Sequence, residues 1–302
     1  GCCLSSTINK YCYVYLRPIE GHFGIRNEFI YSEIERIGDD LAQIRHPIIR
    51  EALKFKKVNG IRVDYDADIP ARTGLGTSSA FSVGLLNALN EYLGYEFNKY
   101  KIATEAIYLE RELCREIGGV QDQIESSYGG INQITFSRSG FDVKKLDINT
   151  IRKQNLENNL LLFYTGVQRT SSDVQKAVNI SKDAVNNALL QLTELTKKGI
   201  ECLVNREADL DDFGLMLHEA WQLKKQMSSK VSNQRIDELY QIGIANGALG
   251  GKILGAGGGG FLLFYVQPVN QHRVRSALKD LTEVLFEFED KGTTILYSNT
   301  KV

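Results

Sequence analysis

A glycine-rich turn followed by three hydroxyl residues is the segment of this sequence most suited to chemistry on a phosphate. It lies between an alternating strand at residues 61–65 and an apolar helix that begins near residue 80, and it reads Gly74-Leu75-Gly76-Thr77-Ser78-Ser79. Glycines let a backbone approach a ligand closely, and a helix start offers free N–H groups and the positive end of the helix dipole. The segment therefore predicts a phosphate-binding turn. An ordinary strand-to-helix turn with a serine or threonine as N-cap would show the same residues.

Three other nucleotide-binding patterns are missing or fail their structural context. No G-x-x-x-x-G-K-[ST] sequence occurs, which excludes a Walker-type NTPase. The run at residues 255–260 matches G-x-G-x-x-G, but it leads into a strand rather than a helix, which excludes a dinucleotide-binding turn. Asp212-Phe213-Gly214 matches a protein-kinase metal motif by chance, because the catalytic loop and the strand lysine of protein kinases do not occur.

Strands and helices are predicted to alternate along the chain around the glycine turn. The hydrophobic period indicates strands at residues 11–16, 61–65, 131–136, 159–165, 252–254, 261–266, 284–288 and 293–297. It indicates helices at residues 46–56, 80–89, 99–116 and 270–281, with a helix-rich stretch over residues 171–248. This order predicts an α+β fold of two domains, residues 1–155 and 156–302.

The composition is typical of a globular enzyme or binding protein. The 302 residues are 43% hydrophobic and 24% charged, and 36 basic against 37 acidic side chains give a net charge of -1. These values argue against disorder, fibres and coiled coils, and without a basic excess we expect no nucleic-acid partner. Apolar runs such as residues 160–164 are far shorter than the ~20 residues of a membrane helix, so we expect no membrane partner.

Cysteine and histidine suggest neither a disulfide framework nor a local metal site. The five cysteines are odd in number and form no C-x-x-C pair, which predicts a reducing, cytoplasmic environment. The four histidines are scattered along the chain, so only a spatial cluster would bind a metal. Glycine is concentrated instead, because residues 247–260 hold eight of the 27 glycines.

Three segments together resemble one family of small-molecule kinases. Residues 70–80 follow the pattern Pro-x-x-x-Gly-Leu-Gly-Thr-Ser-Ser, residues 118–123 read Gly-Gly-Val-Gln-Asp-Gln, and residues 250–261 contain the glycine run. In order and context they are similar to the GHMP kinases, the family of galactokinase, homoserine kinase, mevalonate kinase and phosphomevalonate kinase. The resemblance covers the whole chain. It implies the two-domain GHMP kinase fold, with an N-terminal domain like domain 2 of ribosomal protein S5 and a ferredoxin-like C-terminal domain.

The resemblance implies an ATP-binding turn and a magnesium ion beside it. The turn would consist of Arg72, Thr73, Gly74, Leu75, Gly76, Thr77, Ser78 and Ser79. The Ser78 hydroxyl would take the magnesium position of the family motif. Glu110 would be its carboxylate partner, since Mg²⁺ favours oxygen ligands. The alternative for Glu110 is a solvated helix charge among Glu105, Glu112 and Glu116.

Asp122 is the residue that the resemblance assigns to catalysis. A carboxylate near an incoming hydroxyl can accept its proton during attack on the γ-phosphate, or orient it and balance charge in the transition state. The alternative is a first-turn aspartate favoured by the helix dipole. Arg169, after a strand end and a glycine, would clamp a substrate phosphate. A structural loop of closely packed backbone is expected at Gly257, Gly258 and Gly259, because glycine has no side chain.

Within the family, the chain looks like the branch that phosphorylates D-glycero-D-manno-heptose 7-phosphate on its anomeric oxygen. This finer resemblance rests on residues 1–11, 71–74, 119–123 and 250–261, and on Thr165-Gly166 followed by Arg169. It implies a small sugar phosphate as substrate, with ATP and Mg²⁺. Two alternatives stay open: a GHMP kinase for fucose, galactose, an N-acetylhexosamine or a mevalonate-type alcohol, and a catalytically silent sensor of sugar and ATP. The family's first motif, which contains a sugar-binding acid, is expected before Gly1.

Overall fold

The structure is a computed structural model that describes residues 1–20, 25–71, 73–167 and 182–299. Contacts divide the chain into two units, each made of separate segments. The first unit comprises Gly1–Asn9, Arg72–Leu75 and Ile131–Phe288. The second unit comprises Lys10–Ala71, Gly76–Gly130 and Glu289–Val302. Both units contain strands and helices, which agrees with the predicted α+β class.

Strands and helices follow one another along the described part of the chain. The strands are β1 (Cys2–Ser6), β2 (Cys12–Pro18), β3 (Asn27–Ile30), β4 (Ile34–Ile37), β5 (Ile61–Ala67), β6 (Ile131–Ser137), β7 (Gly140–Lys145), β8 (Leu160–Tyr164), β9 (Ala248–Ile253), β10 (Phe261–Val266) and β11 (Thr282–Glu283). The helices are α1 (Pro47–Lys56), α2 (Thr77–Tyr92), α3 (Lys99–Tyr108), α4 (Gln121–Tyr128), α5 (Thr150–Asn158), α6 (Lys182–Val204), α7 (Asp211–Met227), α8 (Gln234–Ala245) and α9 (Pro268–Ala277). A π-helical turn, Leu109–Leu113, continues α3.

The second unit is built on a sheet with the strand order β2-β5-β3-β4. β2 and β5 are antiparallel, β5 and β3 are parallel, and β3 and β4 are antiparallel. Phe29 on β3 and Val63 on β5 are partners in the register, and both are fully buried. They share one hydrophobic core with residues of α1 and α2.

Helix α2 is buried along most of its length because apolar residues occur on nearly all of its faces. The side chains that are 2% exposed or less include Phe81, Val83, Leu85, Leu86 and Leu89. Gly84 lets the helix approach β2, since a Cβ at that residue would lie 3.2 Å from Val14 Cγ2. A helix that is hydrophobic all round belongs in a core, so the first turn of α2 starts from a firmly held element.

Asparagine side chains cap three of the described helices. Asn98 caps α3, Asn149 caps α5 and Asn233 caps α8, each by accepting a backbone N–H of the first turn. Such a cap contributes roughly 1 kcal/mol because it satisfies an amide that the helix leaves unpaired. The N-cap residues of α2 and α4 make no side-chain hydrogen bond of this kind. These two helices begin in the segments that the sequence assigns to function.

The first unit contains two antiparallel sheets. One has the strand order β1-β6-β7, and the other has the order β11-β8-β10-β9. β8 and β10 are continuous apolar runs, as expected for buried central strands. Phe163 on β8 and Phe264 on β10 have ring centroids 6.4 Å apart, and they share a core with Trp221 of α7.

Close backbone contact requires glycine where α7 packs on β9. A Cβ at Gly250 would lie 2.0 Å from Gly214 O and 2.7 Å from His218 N, both backbone atoms of α7. A Cβ at Gly214 would lie 2.6 Å from Cδ1 of Tyr265. Neither residue has room for a side chain, since such overlaps force the two elements apart. Some of the glycines are therefore required where a helix packs closely against a sheet.

The strand predicted at residues 284–288 does not form. β11 ends at Glu283, and Phe288 makes only an isolated bridge. The sequence alternates here because Phe286 and Phe288 pack against a core while Leu285 is 73% exposed. An extended chain can bury alternate side chains without joining a sheet.

The strand predicted at residues 293–297 is also wrong. Leu296 and Tyr297 are each 82% exposed, so the segment has no buried face. A short apolar run without a buried face gains too little from burial to add a strand.

Three further observations bear on the classes of site considered from the sequence. None of the helices in the described ranges is long and apolar enough to cross a membrane. The five cysteines all lie in described residues, and each is a free thiol. Among the described residues, no group of three or more histidine, cysteine, aspartate or glutamate side chains is arranged to hold a metal ion.

Candidate active site

The predicted phosphate turn ends at Gly76, and α2 begins at the next residue. Gly76 is the N-cap of α2 and has a φ of 71° and a ψ of 16°, a left-handed conformation that favours glycine. It offers no side chain to accept the first amides of the helix. The alternative of a serine or threonine N-cap is therefore wrong. An anion at this point would accept hydrogen bonds from the free N–H groups of the first turn and interact with the positive end of the helix dipole.

The hydroxyl residues after Gly76 differ in exposure. Ser78 is exposed, whereas Ser79 is buried. Ser79 Oγ donates a hydrogen bond of 3.2 Å to Glu110 Oε2. The structure thus brings Ser79 to Glu110, while the predicted role of Ser78 as a magnesium ligand stays a prediction.

Within the first unit, the beginning of the turn lies against the glycine run. A Cβ at Gly260 would lie 2.0 Å from Thr73 O, and a Cβ at Gly255 would lie 2.6 Å from Gly74 O. Lys224 Nζ donates to Gly255 O at 2.6 Å. Backbone meets backbone at both glycines, so a side chain at either would separate the two segments.

The predicted structural loop is packed in the same way. A Cβ at Gly257 would lie 2.6 Å from Val231 O, and Gly258 N donates to that oxygen at 2.6 Å. A Cβ at Gly259 would lie 2.9 Å from Val167 O. These three glycines contribute packed backbone to the first unit.

Glu110 is turned into the second unit by the π-helical turn. A π turn widens a helix locally, and here two consecutive side chains point inward. The Glu110 side chain is 2% exposed and that of Arg111 is 18% exposed. The alternative that Glu110 is a solvated helix charge is therefore wrong.

The two carboxylate oxygens of Glu110 have different surroundings. Oε2 accepts hydrogen bonds from Gln123 Nε2 at 2.5 Å and from Ser79 Oγ at 3.2 Å. Oε1 is buried and has no hydrogen-bond partner among the described residues. A buried oxygen in this state is satisfied by a proton, a bound water or a cation. Because the donors here are carboxylate and hydroxyl oxygens, the residues fit a hard ion such as Mg²⁺.

Burial raises the pKa of the Glu110 carboxyl above its ordinary value of 4.5. The nearby Ser82 hydroxyl and the hydrogen bond from Gln123 lower this pKa, Glu116 raises it, and the charge of Arg111 lowers it, but burial is the larger effect. A cation at Oε1 would stabilise the charged form. A proton and a cation would therefore compete for this carboxylate.

Asp122 lies in the first turn of α4, directly beside the start of α2. It is exposed, and a Cβ at Gly76 would lie 3.1 Å from its Cγ and 3.3 Å from its Oδ2. Gln123, the next residue, is fully buried and binds Glu110. The first turn of α4 thus places the Asp122 carboxylate at the N-terminus of α2 and, through Gln123, orients the Glu110 carboxylate.

Some residues predicted for the site lie outside the described residues, and some residues that the structure brings to the site were not predicted. Arg72 and Arg169, predicted for ATP and for the substrate phosphate, lie outside the described residues. The contacts of Gln123 and Arg111 with this site were not predicted. Hydrophobic periodicity does not reveal them, because a π turn shifts side chains from the helical repeat. The only signal was the position of Gln123 beside Asp122.

Comparison with known proteins assigns the chain to a family. Residues 44–130 match the GHMP kinases N terminal domain, and residues 200–283 match the GHMP kinases C terminal. Together the two matches cover more than half of the chain, and the first contains Gly76, Glu110 and Asp122. The chain belongs to the GHMP kinase family.

Two curated relatives are sugar kinases by name. The D-glycero-alpha-D-manno-heptose 7-phosphate kinase of Campylobacter jejuni subsp. jejuni serotype O:2 is 32% identical over 220 residues, which cover 70% of this chain and 63% of the relative. The bifunctional fucokinase/GDP-fucose pyrophosphorylase of Arabidopsis thaliana is 30% identical over 238 residues, 76% of this chain and 22% of the relative. The chain spans less than two thirds of the length of either.

A solved structure shows the same fold. The crystal structure of a D-glycero-D-manno-heptose 1-phosphate kinase from Bacteroides thetaiotaomicron matches with a TM-score of 0.76 over 99% of this chain and 91% of that one, at 22% identity. Together with the family matches, it confirms the GHMP kinase fold. The predicted domains 1–155 and 156–302 stay a prediction. The contact units divide the chain differently, since α5 spans residue 155 and lies wholly in the first unit.

We expect Glu110→Gln to change how stability depends on pH. In the folded chain the raised pKa keeps a proton on Glu110 that the unfolded chain releases above about pH 4.5. Without divalent cations, this carboxyl therefore lowers the free energy of unfolding as pH rises above that value. The glutamine variant lacks the titration. The melting temperature of the parent minus that of the variant should fall from about pH 5 to about pH 7.5 in EDTA.

Glu112→Gln is the matched control, because Glu112 lies in the same π turn and is exposed. Its melting temperature should follow that of the parent across the range. A parent-minus-Glu110→Gln difference that is constant or rises with pH would contradict the buried, proton-binding state of Glu110.

Proposed function

We propose that this chain is an ATP- and Mg²⁺-dependent sugar kinase that phosphorylates the anomeric hydroxyl of D-glycero-D-manno-heptose 7-phosphate to the 1,7-bisphosphate. The observation that carries the proposal is the arrangement at the start of α2 in a GHMP kinase chain. There Asp122 lies against Gly76, and Glu110 keeps one buried oxygen unpaired. The curated relative named for heptose 7-phosphate supports this substrate.

The start of α2 supplies the phosphate-binding groups. Phosphoryl transfer depends mainly on positioning and on charge neutralisation. The first amides of α2 donate to phosphate oxygens, and the hydroxyls of Thr77 and Ser78 add further donors. Arg72, Thr73, Gly74 and Leu75 complete the proposed ATP-binding turn.

Glu110 holds the magnesium ion through Oε1 in this proposal, with the Ser78 hydroxyl as a second ligand. When bound, the ion neutralises charge on the phosphates. Gln123 keeps Oε2 occupied, so the carboxylate presents a single oxygen in a fixed direction. Glu110 must lose its proton before it binds the ion, which makes cation binding depend on pH.

Asp122 acts on the acceptor hydroxyl. Its carboxylate accepts the proton as the hydroxyl oxygen forms a bond to the γ-phosphorus, or orients that hydroxyl during attack. The bond from the γ-phosphorus to the bridging oxygen breaks, and ADP leaves with the electron pair. Arg169 binds the distal phosphate of the sugar through its guanidinium. We place this reaction in the cytoplasm because the cysteines form no disulfide framework.

A second candidate is a GHMP kinase with another acceptor. The three proteins compared above are named for heptose 7-phosphate, heptose 1-phosphate and fucose, so these names agree on a sugar and differ on the acceptor. Fucose, galactose, an N-acetylhexosamine and a mevalonate-type alcohol are the alternatives. Asp122, Ser78 and Glu110 argue against a catalytically silent sensor, since a sensor needs no proton acceptor.

ADP release across a panel of acceptors tests the proposal. The panel contains heptose 7-phosphate, heptose 1-phosphate, fucose, galactose, N-acetylhexosamines and mevalonate, each with ATP and Mg²⁺. We expect the highest kcat/KM with heptose 7-phosphate, and ³¹P NMR should show the new phosphate on the anomeric oxygen. A higher value with another acceptor would support the second candidate, and no release with any acceptor would support the sensor.

Asp122→Asn tests the catalytic carboxylate. Asparagine keeps the shape but cannot take the proton, so kcat should fall by roughly 10² to 10⁴-fold while the affinity for ATP stays within about twofold. Asp212→Asn is the control, because Asp212 is also an exposed first-turn aspartate. If both variants keep the parent's kcat, Asp122 serves only the helix dipole.

A further inference from the structure

Arg111 is a largely buried charge that the proposed mechanism leaves without a role. Its Nη1 donates to Glu116 O at 3.2 Å, and its Nη2 donates to Gly119 O. Both acceptors are backbone carbonyls of the loop at residues 114–120, which joins the π turn to α4. The guanidinium therefore binds this loop at two points.

Gly118 provides the space in which the guanidinium lies. A Cβ at Gly118 would lie 2.9 Å from both Nη1 and Nη2, whereas a Cβ at Gly119 would meet no described atom within 4 Å. A guanidinium presents its donors in a rigid planar fork. Two carbonyls bound by one fork are held in a single relative geometry, which an ammonium on a flexible stem does not impose.

Backbone hydrogen bonds hold the start of the loop, since Cys114 N donates to Leu109 O and Glu116 N donates to Glu110 O, both at 2.8 Å, but the loop also contains a strained residue. Arg115 adopts a φ of 55°, a left-handed conformation that costs a side-chain-bearing residue roughly 1 kcal/mol or more. Val120, the N-cap of α4, makes no side-chain hydrogen bond to the helix. The two bonds from Arg111 thus oppose a local tendency of the loop to relax.

The loop leads directly into the residues of the site. Asp122, beside Gly76, and Gln123, bound to Glu110, both belong to the first turn of α4. Arg111 Nη2 lies 3.9 Å from Glu110 Oε2, which is too long for a hydrogen bond. The charge of Arg111 therefore acts directly on Glu110, but its hydrogen bonds are to the loop, so its influence on the position of Asp122 passes through α4.

We propose that Arg111 is a positioning residue, which clamps the loop at residues 114–120 so that Asp122 stays at the start of α2 and Gln123 stays on Glu110. The inference rests on the proposed kinase function, because only phosphoryl transfer makes the position of Asp122 matter. A displacement of about 1 Å is enough to lower a rate by roughly 100-fold.

Arg111→Lys tests the clamp, because lysine keeps the charge and removes the fork. Arg115→Lys is the matched control, since Arg115 is exposed in the same loop. In Arg111→Lys we expect amide hydrogen exchange to rise at residues 116–124, and kcat to fall by roughly 10- to 100-fold. The KM for ATP should change less than about twofold, because the start of α2 is unaltered. Arg115→Lys should match the parent in all three measurements.

Gly118→Ala tests the same clamp without changing a charge. The added methyl group would displace the guanidinium, so exchange at residues 116–124 should again rise, while Gly119→Ala should leave exchange unchanged. Gly118 and Gly119 both lack a positive φ, so backbone strain does not distinguish the two alanine variants. They differ in the atoms that the added methyl group contacts. Melting temperatures confirm that each variant is folded.

The outcomes separate this inference from the proposed function. Faster exchange with a lower kcat supports the clamp. Unchanged exchange in both Arg111→Lys and Gly118→Ala overturns it, whatever the activity. Faster exchange with the parent's kcat also overturns it, because loop order would then not matter for the reaction. A parent that transfers no phosphoryl group rejects the proposed function, and the positioning role with it.

Discussion

The candidate site of the second unit depends on the buried carboxylate of Glu110. A carboxylate removed from water needs partners for its charge, and the neighbouring helices provide them for one of its two oxygens. An isolated buried charge costs several kcal/mol, so such groups acquire a proton, hydrogen bonds or a cation. Here α2 contributes the Ser79 hydroxyl and α4 contributes the Gln123 amide, both to one oxygen. The other oxygen has no partner among the described residues. Burial raises the pKa of this carboxyl, and in the proposed metal site the charge of a divalent cation would offset that effect.

Backbone contact is the second constraint, and it explains where the glycines occur. In the second unit, Gly76 leaves room for Asp122 at the start of α2. In the first unit, Gly255 and Gly260 lie against the backbone of Gly74 and Thr73, and Gly250 lies against α7. At Gly250, Gly255 and Gly260 a backbone neighbour is too close for a Cβ, whereas at Gly76 the positive φ of 71° favours glycine. The glycine run is therefore a packing feature that shapes the turn rather than a source of catalytic groups.

The sequence was sufficient for the features that local patterns encode. The glycine turn, the apolar helix after it and the placement of Asp122 in a first helical turn all followed from residues adjacent in sequence. The catalytic role of Asp122 is a prediction from the family resemblance. The π turn did not, because it breaks the helical repeat that sequence patterns rely on. The pairing of Ser79 rather than Ser78 with Glu110, and the bonds from Arg111, depend on which side chains point inward after that turn. The strand predicted at residues 293–297 failed because an apolar run does not reveal whether anything covers it, and Leu296 and Tyr297 are exposed.

The most direct test of the proposed cation site is a crystal structure of this chain with Mg²⁺ and a non-hydrolysable ATP analogue. We expect the ion about 2.1 Å from Glu110 Oε1, with Gln123 still bound to Oε2 and the phosphates at the first amides of α2. A magnesium ion bound to the phosphates without a Glu110 oxygen among its ligands would contradict the assignment of this carboxylate as the metal ligand.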